Sequence, residues 1–189
     1  MSRPLRLPSF AVPIALALVL QAPLGAQAAP TPPAPPPSPC ADDPTRHQFD
    51  FWLGTWDVFP WSAPPGHGPQ LGVNVITSIE AGCALLESWT GTGGGSGRSF
   101  NWYDTNTRTW RQLWIDRSGS TLDYTRGDLR DGAMRFEGET RGPQGQRVLQ
   151  RLTFFHIHAD TVRQLFETSA DSGRTWTPGF DGRYLRRRP

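Results

Sequence analysis

The sequence predicts an all-β domain, an antiparallel up-and-down meander of about ten strands closed into a barrel. Three observations predict it. From Gln48 onward the chain is built of short runs rich in aromatic and β-branched residues, which suit a pleated, half-buried surface. Turn chemistry separates those runs, as at Pro64-Pro65-Gly66, Asp104-Thr105-Asn106, Ser118-Gly119, Asp131-Gly132 and Gly142-Pro143, where Gly, Asn, Asp and Pro favour backbone conformations that end a strand. No run carries apolar residues at the period of an amphipathic helix. The expected strands, in chain order, cover 50 to 59, 70 to 79, 84 to 90, 98 to 103, 109 to 116, 121 to 127, 133 to 140, 147 to 156, 161 to 168 and 180 to 186. Strands joined by tight turns pair antiparallel with their neighbours, and closure of so many strands removes the exposed edges.

Ahead of this domain the texture differs. Residues 1 to 28 hold a basic start (Arg3, Arg6), an apolar stretch from Phe10 to Leu20 and the small-residue site Ala26-Gln27-Ala28, the three parts of a cleaved secretory signal peptide. The apolar stretch is 11 residues long and contains Pro13, well short of the ~20 residues a membrane-spanning helix needs. Residues 29 to 46 read as a Pro-rich linker carrying Cys40, because seven of the eleven residues from Ala29 to Pro39 are proline and such a segment builds no core. The barrel domain is assigned to 47 to 186 and a solvated basic tail to 187 to 189. The expected destination is therefore periplasmic or secreted.

Charge and cysteine usage narrow the function. Of 19 basic residues, all arginine, two lie in the signal, which leaves them balanced against 17 acidic residues. A neutral domain lacks the positive footprint that a nucleic-acid backbone requires. Cys40 and Cys83 are the two cysteines, and an even count in an exported chain predicts a disulfide, here tying the segment before the first strand to the start of the third. Cys40 follows Pro37-Ser38-Pro39 rather than a small-residue lipobox, so a lipid tether is not expected.

Alternation along the strands points to candidate interior residues. One face of the third strand carries Leu85, Glu87 and Trp89; the fourth groups Ser99, Asn101 and Tyr103; the fifth groups Trp110, Gln112, Trp114 and Asp116. Aromatic rings mixed with a few polar groups suit the wall of a ligand cavity. In the ninth strand Arg163, Leu165, Glu167 and Ser169 share one face, and Gln164, Phe166 and Thr168 the other. Either face can be the inner one. If Arg163 and Glu167 point inward they must be paired, and such an arginine can hold a ligand carboxylate.

The segment Phe49-Asp50-Phe51-Trp52-Leu53-Gly54-Thr55-Trp56-Asp57-Val58 carries a family resemblance. Gly54-Thr55-Trp56 is similar to the Gly-x-Trp signature on the first strand of lipocalins and related calycin barrels, in which Trp closes one barrel end and packs against an arginine from a late strand. With Tyr103-Asp104 and Trp110 around a hairpin, residues 47 to 185 resemble uncharacterised bacterial secreted proteins of the lipocalin-like sort. The resemblance implies a calycin-type barrel that binds a small apolar molecule, with Gly54 and Trp56 structural. Lipocalins add a helix after the barrel, and none is expected here; the ten-strand count resembles the fatty-acid-binding and nitrobindin branch. In that branch a lone His such as His156 would suffice to hold haem.

The remaining motifs read as local structure. Ser169-Ala170-Asp171-Ser172-Gly173-Arg174-Thr175-Trp176 fits the Asp-box pattern of sialidases, but a single copy makes no propeller; Asp171, Gly173 and Trp176 are expected to shape a turn. His156 and His158, two apart on a strand, can face one side, with no third metal ligand nearby. Gly93-Gly94-Gly95-Ser96-Gly97 lacks the lysine and the following helix of a phosphate cradle and reads as a loop at the barrel mouth. The leading expectation is a binding barrel for a small hydrophobic or amphipathic molecule, lined by Glu87, Trp89, Asn101, Tyr103, Gln112, Trp114, Asp116, Arg163 and Glu167. Two others compete with it: an enzyme using Glu87, Asp116 or Glu167 as acid or base, and a carbohydrate-binding module using outward Trp102, Trp110 or Trp114.

Overall fold

A computed structural model describes residues 38–188. Its ten strands are β1 (Gly54–Pro60), β2 (Gly72–Ile79), β3 (Ala84–Gly91), β4 (Ser96–Asp104), β5 (Thr109–Asp116), β6 (Thr121–Arg130), β7 (Ala133–Arg141), β8 (Arg147–His158), β9 (Thr161–Ser169) and β10 (Thr177–Arg186). Each pairs antiparallel with its chain neighbour, and β1 pairs with both β2 and β10, so the meander closes into the expected barrel. The expected signal peptide and most of the Pro-rich linker lie outside the described residues. Among the described residues no helix is long and apolar enough to cross a membrane.

The chain enters through two turns of 3-10 helix, Pro44–His47 and Asp50–Trp52. This corrects the expectation that the first strand begins at residue 50. Asp43 caps the first turn by accepting from the Thr45 backbone N–H at 2.9 Å, with Pro44 at the position where a missing N–H loses nothing. The second turn drops Phe49 and Trp52, both fully buried, into one end of the barrel. Phe49 stacks on Trp52 at 5.0 Å and meets Phe154 at 5.0 Å, Phe136 at 5.7 Å and Trp110 at 5.9 Å. A plug of aromatic rings thus occupies that end.

The Gly-x-Trp segment locks the plug to the barrel seam. Trp56 is fully buried, and its indole N–H donates to the Trp52 carbonyl at 2.8 Å. The Arg186 guanidinium, from the last strand, lies 4.2 Å from the centre of the Trp56 ring and donates to the Leu53 carbonyl at 2.7 Å. Gly54 has φ +125°, and a Cβ there would collide with the Arg186 guanidinium. This is the tryptophan–arginine contact that the lipocalin resemblance implies. Arg187 is not part of a free tail: its backbone N–H donates to the Thr55 carbonyl at 2.8 Å, and its guanidinium pairs with Asp57.

Cys40 and Cys83 form the expected disulfide, with Cα atoms 5.1 Å apart, immediately before β3. The β9–β10 turn is tied by Asp171, which accepts from the Thr175 backbone N–H at 2.9 Å and the Thr175 hydroxyl at 2.6 Å. These bonds hold its carboxyl down at about 2. Trp176 donates to the Gly173 carbonyl at 3.1 Å, and Gly173 takes φ +87°. His156 and His158 are separated by a register shift, and His156 stacks on Phe51 at 4.8 Å. Among the described residues no group of three metal-ligating side chains gathers.

Two outcomes follow from this architecture. Replacing both cysteines with serine should lower stability by roughly 3 to 4 kcal/mol, as a loop of this length predicts, while the β-type circular dichroism persists; a loss of unfolding free energy in urea melts of less than a quarter of that would contradict it. Gly54→Ala should destabilise by about 1 to 3 kcal/mol through the left-handed backbone and the displaced Arg186, read as a fall in Tm.

Candidate functional site

The inner faces of the strands form a core toward the plug and a cavity toward the other end. Packed on the plug side are Ile76, Leu85, Trp110, Met134 and Phe154, all buried. Beyond them lies a cavity of about 190 Å³. Its apolar wall comprises Trp89, Trp114, Leu122, Leu152, Phe166 and Phe180, and its polar side comprises Glu87, Gln112, Tyr124, Gln164 and Tyr184. Two glycines make room for the tryptophans. A Cβ at Gly72 would strike the Trp89 ring, and one at Gly97 would strike Trp114.

The polar side is a connected network. On β5, Gln112 donates to Asn101 Oδ1 at 2.6 Å; on β4, Asn101 Nδ2 donates to Ser99 Oγ at 2.9 Å; Ser99 in turn donates to Glu87 Oε2 at 2.6 Å. From β2, Asn74 Nδ2 donates to Glu87 Oε1 at 2.7 Å and shares its donors with the Tyr184 hydroxyl at 3.3 Å. Tyr184 donates to Gln164 Oε1. Direct cross-strand pairing explains the order, since Glu87 faces Ser99 and Asn101 faces Gln112. Tyr124 Oη is buried and has no hydrogen-bond partner among the described residues.

Glu87 is 4% exposed. Burial raises its pKa above the ordinary carboxyl value of 4.5, opposed by the hydrogen bonds from Ser99 and Asn74 and by the charge of Arg98. Burial, and then the nearby Glu87 carboxylate, push both the Tyr184 and Tyr124 phenols up. No Arg, Lys or His is among the residues lining the cavity.

The structure brings together Glu87, Trp89, Gln112 and Trp114 at the cavity. Asn101 lies behind it in the hydrogen-bond chain, and Tyr103 packs edge-on against Trp110 at 6.3 Å, away from the cavity. Three further expected lining residues, Asp116, Arg163 and Glu167, also lie elsewhere. Asp116 ends β5 and accepts from the Ser118 backbone N–H at 2.8 Å and hydroxyl at 2.6 Å, so it belongs to a turn. On β9 the inner face is that of Gln164 and Phe166, which line the cavity, and this sends Arg163 and Glu167 outward. Outside the barrel, Arg163 makes a two-pronged pair with Asp181, both bonds 2.8 Å, and lies 4.9 Å from the Trp61 ring centre. Glu167 pairs with Arg151, directly across on β8, at 2.5 and 2.8 Å, and Arg151 lies 4.2 Å over Trp176.

Those placements remove the partners that two expectations needed. The acid–base pair of Glu87 with Asp116 or Glu167 does not span the cavity. The row of outward tryptophans is absent too, because Trp110 is buried and Trp114 lines the cavity, leaving Trp102 beneath the Arg111 guanidinium. His156 stands at the plug end against Phe51, away from the cavity, so it offers haem no proximal ligand there.

Asn74, Leu122, Tyr124, Leu152, Phe180 and Tyr184 were not identified by alternation. Asn74 is the instructive case: in Val73-Asn74-Val75 the valines face outward, half-buried, and the asparagine is fully buried. Fold and site together define a closed antiparallel barrel with a mostly apolar internal cavity that carries a few polar groups. The sequence matches no protein-family model and no curated protein.

Because the folded carboxyl titrates above its unfolded value, Glu87 stabilises the barrel most when protonated. That contribution is complete below about pH 4.5 and is lost as pH rises through the folded pKa. Glu87→Gln mimics the protonated form, so the stability of the variant relative to the parent should increase from pH 4 to pH 8. A difference that stays flat in urea melts across that range would refute the assignment.

Proposed function

We propose that this protein is an exported small-molecule-binding barrel that holds a compact hydrophobic or amphipathic compound in its central cavity. The observation that carries this reading is the cavity itself, about 190 Å³, walled by aromatic and aliphatic side chains with a cluster of buried polar groups on one side. Binding sites combine a mostly apolar wall with a few orienting polar groups in this way. Size limits the occupant. An apolar cavity of about 150 Å³ accepts one benzene, so this one suits a single ring or a short chain. Export is supported by the N-terminal sequence pattern and by the Cys40–Cys83 disulfide. Kinship with secreted lipocalin-like barrels is supported by Gly54, Trp56 and Arg186 at the closed end.

The test uses the mature protein purified from periplasm. Native mass spectrometry should reveal a bound small molecule, and 2-phenylethanol or p-cresol should quench the fluorescence of Trp89 and Trp114 saturably. Leu122→Trp fills the cavity and should abolish both signals without changing the β-type circular dichroism. A clean apo mass together with no saturable quenching by either compound would remove the proposal.

A further inference from the structure

This inference rests on the binding reading above and names the ligand class. We infer that the cavity is built for a small organic cation, an amine carried on one ring or a short apolar chain, with its ammonium group against Glu87 and among the surrounding ring faces. The sign of the charge comes from the lining. Glu87 is its one carboxylate, and no basic side chain lines the cavity. Its two hydrogen-bond donors, Asn74 and Ser99, are neutral. Arg98, whose charge acts on Glu87, is exposed and donates through Nη1 to the Gly97 carbonyl at 2.9 Å and the Trp89 carbonyl at 3.4 Å. A buried carboxylate without an ion-pair partner is costly, and a cation entering the cavity supplies one. An anionic ligand such as a fatty acid meets the opposite situation, with like charge ahead of it and no counter-ion.

The rest of the wall suits the same class. Trp89, Trp114, Phe166 and Phe180, with Tyr124 and Tyr184, surround the space, and aromatic faces attract cations most strongly where water is excluded. The unpartnered Tyr124 Oη is an acceptor for a second N–H of the ammonium group. A neutral alcohol can satisfy that hydroxyl, but it leaves the carboxylate unpaired.

Protonation of Glu87 competes with the cation. The titratable or charged groups around Glu87 are Tyr124 on β6, Tyr184 on β10 and Arg98 on β4. Both phenols are pushed up by burial and stay neutral, so Glu87 is the group that titrates. Cation affinity is therefore full above its folded pKa and falls as pH drops through that value.

Three isosteres separate the possibilities: 2-phenylethylamine, 2-phenylethanol and phenylacetate, titrated against the parent protein and Glu87→Gln by tryptophan fluorescence and calorimetry. With Glu87 ionised, above its folded pKa, the amine should bind at least about tenfold more tightly than the alcohol, the span expected of a desolvated cation–π contact, and phenylacetate more weakly than either. Lowering the pH through the folded pKa of Glu87 should weaken the amine and leave the alcohol unchanged, and Glu87→Gln should erase the amine's advantage while retaining alcohol binding. Alcohol binding equal to or tighter than that of the amine overturns the cation assignment and leaves the binding barrel standing. Binding by none of the three removes both. The comparison within the parent protein stands even if the variant fails to fold.

Discussion

Closure of the barrel depends on the meeting of the first and last strands, a ladder that runs from Trp56 opposite Arg186 to Pro60 opposite Gly182 and carries the Trp56–Arg186 stack at its plug end. Without it the ten strands would form an open sheet with two unpaired edges, and the inner face would have no opposite wall. The pair works because Gly54 leaves its space empty, so that the guanidinium can reach over the ring to the Leu53 carbonyl. The entry turns and the final strand are thereby joined at one point. The disulfide fixes the same entering segment a second time, to the start of β3.

Sealing one end with aromatic rings frees the other to remain open inside. Phe49, Trp52 and their neighbours bury enough apolar surface there to make a core. The remaining interior can then hold polar groups, provided they satisfy one another. They do so across three adjacent strands, where Gln112, Asn101, Ser99 and Glu87 form a continuous series. Such a network fixes the rotamers of its members, because rotation of one breaks two bonds.

The sequence made the architecture legible because turn residues and period-two alternation act locally. Nine turns with their own chemistry define ten strands whatever the interior contains. The side facing inward was legible only where alternation was one-sided, as in Leu85-Glu87-Trp89. On β9 both faces carry an aromatic or aliphatic residue and a polar one, and Arg163 and Glu167 find partners outside, in Asp181 and Arg151, that no local pattern reveals. Asp116 continued the right alternation but sits at a strand end, where the turn captures its carboxylate. Asn74 inverted the usual rule, since its burial between two outward valines makes sense only once Glu87 is placed diagonally across from it on β3, two residues from its direct partner Trp89. The plug was hidden for another reason: one turn of 3-10 helix is too short to show a period.

The hydrogen-bond series on the inner wall has a single direction. Each member donates toward Glu87, so the bond dipoles add along the circumference of the barrel, and each bond polarises the next. Both termini, Gln112 and Glu87, border the cavity. Substitution at Gln112 therefore alters the surroundings of the carboxylate two strands away without touching it.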